Sequence, residues 1–367
     1  MRVLGIGKFY PPEYHGGLES AVAALNVELV RLGCEVTCVV AAVRGAGSAS
    51  QVDGVRVVRA GSLGTLFSQP LALGLAAAVR REAGDVVHLH HPNPLGDLAA
   101  LADVRRPLVV TQHSDVVRQR VLWPLYGPVV RRAFARARFV VVASENYRHA
   151  SRELAGFDAK VRVIPYGIAL GRFDLTPAVA DRTLALRAQW GGKPVVLAVG
   201  RLVGYKGFDV LLRAVAGLDV TTVLVGAGPE EARLRAMAPS GGGVVFAGRV
   251  ADSDLPAYYH ACDVFCLPSL TIAEAFGVVL LEAMACGKPL VTSDLKTGVT
   301  AVNRDGRTGL AVPTGDAGAL REALRAVTGD AARRKAMGAA GRRAVEQEHT
   351  AGLMAQRYLT LYREALG

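Results

Sequence analysis

Little in this sequence is of a kind that announces a cofactor. Cysteine is scarce, with Cys34, Cys38, Cys262, Cys266 and Cys286 the only five in 367 residues. Their number is odd and their spacing is C-x-x-x-C twice, so the C-x-x-C of zinc and redox sites is missing. Each thiol lies in an apolar run, and buried free thiols in a reducing compartment are expected rather than a disulfide framework. Aromatic residues make up only 6%, and no nucleic-acid-binding module motif is present. The N-terminal stretch Met1–Gly7 has no long apolar core of a signal peptide and reads as a first strand. The longest stretch without a charged residue, between Arg59 and Arg80, is broken by Gly61, Gly64, Ser68, Gln69, Pro70 and Gly74. It reads as loop then helix, not as a membrane span. No Gly-x4-Gly-Lys-Ser/Thr phosphate loop and no metal-binding Asp-x-Asp motif are recognised. His88, His90 and His91 cluster, but no carboxylate or cysteine completes a clear ligand set, and no metal is expected.

What is present is a chain with ample means to fold. Hydrophobic residues make up 51% and charged residues 20%, which excludes disorder as the main state, and the length suits two domains. The 41 glycines are scattered between apolar runs, as in a fold with many tight strand-to-helix turns. The formal net charge of +11 points to an anionic partner without naming it.

Short β-branched runs alternate with longer Ala/Leu/Arg segments. In the first half, strands are expected at Arg2–Gly7, Glu35–Ala41, Val55–Arg59, Val86–Leu89, Leu108–Thr111, Phe139–Ala143 and Val161–Ile164, with helices at Glu19–Leu32 and Leu71–Glu82. In the second half, strands are expected at Val195–Val199, Thr222–Val225, Val244–Phe246, Val264–Leu267 and Leu290–Thr292, with helices at Phe208–Ala216, Glu230–Met237 and Val278–Ala285. Near-continuous apolar strands with helical crossovers imply parallel sheets covered on both faces. A seam falls near residues 167 to 193, around the polar stretch at Thr176-Pro177. In such sheets, ligands bind beyond the carboxyl ends of the strands.

Five segments could carry chemistry. The first is Pro268–Pro289, a strand-to-helix passage with Glu274 in the entrance loop and Glu282 about two turns inside the helix. The first-turn amides around Phe276, Gly277 and Val278 could hold an anionic or hydroxyl-rich ligand while Glu274 accepts its hydroxyl hydrogens. The bland alternative makes Glu274 a capping acid and Glu282 a surface acid. The second is Gly200–Gly207, which sets Arg201 and Lys206 between a strand and a helix, as a phosphate site or as a solvated cation pair. The third is the Gly16-Gly17 turn, where the backbone could approach a phosphate or simply turn tightly. The fourth is His113, just past a strand end. The fifth is Val116–Arg138, whose six arginines alternate with Leu122, Trp123, Leu125, Tyr126 and other apolar residues. It suits either an anionic membrane surface or a solvated helix packed by its apolar side.

Taken in order, these segments resemble the retaining glycosyltransferases of family 4, over essentially the whole chain. The resemblance is carried by Gly16-Gly17 with Glu19, His113, Ile164-Pro165-Tyr166-Gly167-Ile168, Gly200-Arg201 with Lys206-Gly207, Val225–Pro229, Phe246–Val250, and Glu274 with Glu282. It implies an α/β fold of the GT-B kind, two Rossmann-like doubly wound domains facing across a cleft. Residues 1–170 would form the acceptor-side domain, with the helix 350–367 packing back on it, and residues 190–349 would form the nucleotide-sugar domain. By resemblance, Arg201 and Lys206 would bind the donor's diphosphate and Glu282 the ribose hydroxyls. Glu274 and the amides of Phe276, Gly277 and Val278 would hold the sugar. Arg249 and Val250 would meet the base, Gly16 and Gly17 the phosphates, and His113 the sugar from the other domain.

The lack of a recognised Asp-x-Asp fits protein cations, rather than a metal, stabilising the charge on the leaving diphosphate. No cofactor is expected beyond the nucleotide-sugar substrate. The chain is similar to bacterial mannosyltransferases of surface polysaccharides. That implies GDP-mannose as donor, with UDP-glucose or a UDP-N-acetylhexosamine as alternatives, and a glycan or lipid-linked acceptor. The basic segment then fits a peripheral enzyme on the inner face of the plasma membrane, in the cytoplasm. Three rivals are weighed. A glycosidase would need a facing carboxylate that the other half does not clearly supply. A nucleotide-sugar epimerase shares the glutamate pattern. A nucleic-acid-binding protein is disfavoured by the low aromatic content, and no nucleic acid is expected as partner. Residues 1–170 carry 20 Lys and Arg against 13 Asp and Glu, the remainder 23 against 19, so the excess leans to the half with the basic segment.

Overall fold

The computed structural model describes residues 1–14, 16–66, 69–116, 123–239 and 243–367. The chain divides into two units, one formed by Met1–Gly167 with Ala351–Gly367 and the other by Ile168–Thr350. His15 of the Gly-Gly turn, Ser68 of the uncharged stretch, and Arg118, Arg120 and Leu122 of the basic segment lie outside the described residues.

Unit 1 holds strands β1 (Arg2–Ile6), β2 (Glu35–Ala41), β3 (Ser48–Val52), β4 (Val55–Ala60), β5 (Thr65–Leu66), β6 (Gln69–Pro70), β7 (Val86–His91), β8 (Leu108–Gln112), β9 (Phe139–Val142) and β10 (Val161–Val163). Its helices are α1 (Gly17–Arg31), α2 (Leu75–Arg81), α3 (Pro94–Ala102), α4 (Trp123–Arg136) and α5 (Glu145–Ala150). Eight strands form one sheet in the order β10-β9-β8-β7-β1-β2-β4-β3, and β5 pairs with β6 apart from it. The large sheet is parallel except for β3, which runs antiparallel to β4. β7 and β8 are buried along their whole length, as strands covered on both faces must be. β3 is a largely exposed, polar edge strand, which explains why no apolar pattern marks it.

α1 buries Ala21, Val22, Leu25 and Leu29 at helical spacing. It ends where Gly33 takes φ +82° and the amide of Cys34 returns to the Leu29 carbonyl at 3.0 Å.

Unit 2 holds, in chain order, α6 (Pro177–Gln189), β11 (Val195–Val199), α7 (Phe208–Val215), β12 (Thr221–Val225), α8 (Glu231–Met237), β13 (Val244–Gly248), α9 (Leu255–Ala261) and β14 (Val264–Leu267). It continues with α10 (Val278–Ala285), β15 (Leu290–Ser293), α11 (Gly298–Val302), β16 (Gly309–Val312), α12 (Ala317–Thr328) and α13 (Ala331–Glu348). The last helix, α14 (Ala351–Leu366), belongs to unit 1. The second sheet is wholly parallel, in the order β13-β12-β11-β14-β15-β16. Its core packs Phe208, Leu211 and Leu212 of α7 and Leu320, Leu324 and Val327 of α12 against Val196, Cys266 and Val291 of the strands.

The stretch after Thr176, read as polar linker, is the helix α6. Pro177 opens it and the Thr176 hydroxyl accepts the Val179 amide at 3.4 Å. All five cysteines are buried free thiols, as their apolar settings predict. Among the described residues, no helix is long and apolar enough to cross a membrane.

The topology matters for the site. β11 sits between β12 and β14, so the chain leaves it to one side and later returns on the other. That switch juxtaposes the loops following β11 and β14, although some seventy residues of chain separate them.

Candidate functional site

The pairing of Val196 with Val264 and Leu197 with Phe265 brings the carboxyl ends of β11 and β14 side by side. The loops that follow are stitched together by the Leu270 amide, which donates to the Tyr205 carbonyl at 2.7 Å. Gly207 lies in the left-handed region at φ +67°, and a Cβ there would run into the Pro268 carbonyl. Backbone thus packs on backbone, and Lys206 is held 8% exposed beside Glu274. Its Nζ donates to Glu274 Oε2 at 2.6 Å, and Ser269 Oγ donates to the same oxygen at 2.8 Å. Burial pulls the Lys206 ammonium down, but attraction to Glu274 and Tyr205 outweighs it and holds its pKa above the ordinary lysine value. Lys206 is therefore a permanent, desolvated cation, not half of a solvated surface pair. Arg201 is exposed and has no side-chain partner among the described residues.

The β14 loop runs through Glu274, 7% exposed, to Gly277, whose φ of +78° starts α10. At a helix start the first amides, here of Val278 and Val279, have no intrahelical acceptor. Phe276 is buried beneath them. Glu282, in the second turn, is 5% exposed, so it is no surface acid. Tyr259 of α9 donates its hydroxyl to Glu282 Oε2 at 2.6 Å. Burial raises the Glu282 carboxyl above its ordinary pKa, against the opposing pull of Tyr259 and Arg172. Arg249 is exposed just beyond β13, with Val250 half-buried beside it.

The Asp-x-Asp reading needs a correction. Asp252-Ser253-Asp254 does have that spacing. In the structure Asp252 pairs with Arg172 at 3.1 Å, while Asp254 stands just before α9 without a capping bond from its side chain.

In unit 1, His113 follows β8 and its amide bonds the His91 carbonyl at 2.9 Å. Its Nε2 meets His90 Nδ1 at 3.0 Å, and its Nδ1 meets the Tyr166 hydroxyl. Both ring nitrogens are therefore engaged within unit 1. His88 shares a strand face with His90, with ring centres 4.2 Å apart, and bonds Thr111 and Tyr362 at 2.7 Å each. Burial keeps these imidazoles neutral, with His90 pushed down to about 3. His91 is the reverse case. Although burial opposes it, Asp97 at 3.0 Å and Glu153 at 3.5 Å raise it to about 9. The carboxylates that the sequence did not supply to the histidine cluster are thus Asp97 and Glu153. Among the described residues, no group of three or more His, Cys, Asp or Glu side chains is arranged to hold a metal ion. Gly16, half-buried, precedes α1, and Gly17 is its exposed first residue.

The basic segment resolves unevenly. Arg131, Arg132 and Arg138 are exposed, as are Leu125 and Pro124. Arg136 instead turns inward and donates to the backbone carbonyls of Asp103 and Arg106.

Of the residues singled out from sequence, Lys206 meets Glu274 directly. Arg201, Glu282, Arg249 and Val250 share unit 2 with them, and Gly16, Gly17 and His113 belong to unit 1. Two residues at the carboxylates were missed. Ser269 stands five positions before Glu274 in the same loop, and a hydroxyl so placed was a usable signal. Tyr259 comes from another helix, and only the fold reveals it.

The family described as Glycosyl transferases group 1 matches residues 187–344, and that described as Glycosyltransferase Family 4 matches residues 15–172. The chain is 40% identical to D-rhamnosyltransferase WbpZ of Pseudomonas aeruginosa, over 66% of this chain and 63% of that protein. It is 31% identical to O-antigen chain mannosyltransferase C of Escherichia coli, over 100% of this chain and 99% of the relative. Against the GDP-mannose-dependent alpha-(1-6)-phosphatidylinositol monomannoside mannosyltransferase of Mycolicibacterium smegmatis it is 32% identical, over 91% of each. Among solved structures, sucrose-phosphate synthase from Thermosynechococcus elongatus superposes with a TM-score of 0.82 at 24% identity, covering 99% of this chain and 98% of that one. That likeness speaks to the fold, the GT-B arrangement of two Rossmann-like domains. Family matches to both halves and 31% identity along the whole length of a mannosyltransferase lead to one conclusion: the chain belongs to glycosyltransferase family 4.

Proposed function

We propose that this protein transfers mannose from GDP-mannose, with retention of configuration, to a lipid-linked or polysaccharide acceptor in cell-surface glycan synthesis. Hexosyl transfer follows from the family; the donor, the acceptor and the residue roles are our reading. The observation that carries it is the desolvated Lys206–Glu274 pair at the carboxyl end of β11, with Arg201 exposed on the same loop. Arg201 and Lys206 would take the diphosphate, and the helix start at Gly277 and Val278, with Phe276, would add its amides for the sugar. Glu274 would accept sugar hydroxyls, Glu282 ribose hydroxyls, and Arg249 and Val250 would meet the base. In unit 1, His113 is assigned to the transferred sugar, which would replace His90 or Tyr166 at one ring nitrogen, and Gly16-Gly17 to the phosphates.

In this reaction the bond from the anomeric carbon to the phosphate oxygen breaks and a bond to the acceptor oxygen forms on the same face. The acceptor proton passes to the leaving phosphate. Protein cations neutralise the charge as it develops, so the reading needs no metal for that step. Two of the relatives are mannosyltransferases, one of them GDP-mannose-dependent, which supports mannose. UDP-glucose and UDP-N-acetylhexosamine are the competing donors. The exposed Arg131, Arg132 and Arg138 support peripheral attachment to an anionic membrane at the cytoplasmic leaflet.

A thermal-shift screen against GDP-mannose, UDP-glucose and UDP-N-acetylglucosamine tests the donor. Selective stabilisation by GDP-mannose is expected, and selective stabilisation by a UDP-sugar would replace it. Formation of UDP-N-acetylmannosamine from UDP-N-acetylglucosamine alone would instead favour an epimerase.

A further inference from the structure

Glu282 does not stand alone on α10. Tyr259, fully buried near the end of α9, donates to Glu282 Oε2 at 2.6 Å. The phenol ring is held by Phe173 and Phe265, with ring centres 6.1 and 5.6 Å away. Its backbone carbonyl accepts the Cys262 amide at 3.3 Å and the Cys262 thiol at 3.2 Å. The donor is thus fixed both at its ring and at its main chain. The other carboxylate oxygen, Oε1, makes no hydrogen bond to the described residues. One oxygen is tied down, and the other has no partner among them.

From this we infer that Tyr259 is a positioning residue for nucleotide recognition: it locks the Glu282 carboxylate so that Oε1 is presented to the ribose diol of a nucleoside diphosphate. This rests on the assignment of Glu282 to the ribose, and it adds a residue that the sequence motif does not contain. A carboxylate free to rotate must be ordered at each binding event, whereas one already held loses less freedom. A hydrogen bond from a neutral donor to an ionised acceptor is also among the stronger ones a side chain can make.

The test uses the full chain and four probes, GDP, UDP and their 2′,3′-dideoxy counterparts, titrated calorimetrically. Wild type should prefer the ribose form of its nucleotide by about tenfold or more, the worth of a hydrogen bond to a charged group. Tyr259→Phe, which removes one oxygen and keeps the ring, should shrink that preference about three- to tenfold while leaving dideoxy affinity unchanged. Glu282→Gln should weaken the preference as well, and adding Tyr259→Phe to it should change nothing further. Preference kept in Tyr259→Phe but lost in Glu282→Gln overturns the positioning role and leaves the ribose assignment standing. Preference kept in Glu282→Gln overturns both. If Tyr259→Phe weakens the ribose and dideoxy forms equally, the hydroxyl is merely structural and the inference fails.

Discussion

A lysine kept 8% exposed needs a counter-charge, and Glu274 supplies it at 2.6 Å. Removing one member of such a buried pair leaves the other uncompensated, at a cost of about 3–5 kcal/mol. Lys206→Met should therefore destabilise unit 2 by about 3 kcal/mol in a denaturant titration, and the double variant Lys206→Met/Glu274→Gln should recover much of that loss. If the double variant is as unstable as the single, the pair is not what holds this loop. Glu274→Gln alone keeps a hydrogen-bonding group for Ser269 but leaves Lys206 without its counter-charge, so it too should cost stability. It should lower kcat about a hundredfold or more while changing nucleoside diphosphate affinity far less, because its partner is the sugar in the proposed reaction. Glu282 adds a pH dependence. Its carboxyl is raised by burial, with Asp252 adding to the rise and Tyr259 and Arg172 opposing it. Protonation removes the acceptor, so ribose-dependent affinity should fall on acidification, and should do so at a higher pH than an exposed glutamate would dictate. Affinity that is flat down to the ordinary carboxylate range would contradict this.

Elements place these residues, and here the sequence was legible in some parts and mute in others. β11 and β14 are the same in pattern and in structure because each is a continuous apolar run, and α10 because its apolar run, broken only by Glu282, lies between Gly277 and Gly287. β3 and β16 were not legible, the first because its SASQV sequence is polar and exposed, the second because GLAV is too short to show a period. α6 was hidden because its one buried apolar position, Leu186, leaves almost no stripe to read. At the site, both glutamates and Lys206 were visible as motif residues, but their burial was not. The pairing of Lys206 with Glu274 depends on the β11–β14 adjacency, and no local pattern encodes that. The same adjacency makes Gly207 a sensitive point. Gly207→Ala would force a Cβ onto the Pro268 carbonyl at a left-handed φ. It should lower the unfolding midpoint, cost at least about 1–2 kcal/mol, and weaken diphosphate binding through the displaced loop. A variant with unchanged stability and binding would show that the two loops are not held in register there.

For the whole molecule, charge is divided between two kinds of work. In unit 1 the buried His91 is held protonated by Asp97 and Glu153, with a pKa of about 9 against about 6.5 when unfolded. A raised histidine contributes stability that is complete below the unfolded value and is lost as pH climbs through the folded one. Unit 1 should therefore lose stability between about pH 6.5 and 9, with a slope of at most about 1.4 kcal/mol per unit from this group, and His91→Gln should flatten that slope. A wild-type protein whose midpoint is level across that window would exclude the charged pairing. At the surface, vesicle binding should be tested with Arg131, Arg132 and Arg138 changed to Gln. Arg136 is unsuitable because it supports the Asp103 and Arg106 carbonyls. Reduced co-sedimentation with anionic vesicles is expected from the triple variant, and unchanged co-sedimentation would leave α4 as a solvated helix.

The helix α14 carries a consequence for how the protein is made. Its Tyr358 and Tyr362 are buried against Thr111 and His88, at 2.8 and 2.7 Å, in the interior of a sheet whose strands all precede Gly167. During synthesis that sheet leaves the ribosome long before its covering helix exists, whereas every residue of unit 2 has been translated by Thr350. Unit 2 can therefore be complete while synthesis continues, whereas the bonds that Tyr358 and Tyr362 make to the first sheet can form only after all of unit 2 has been made.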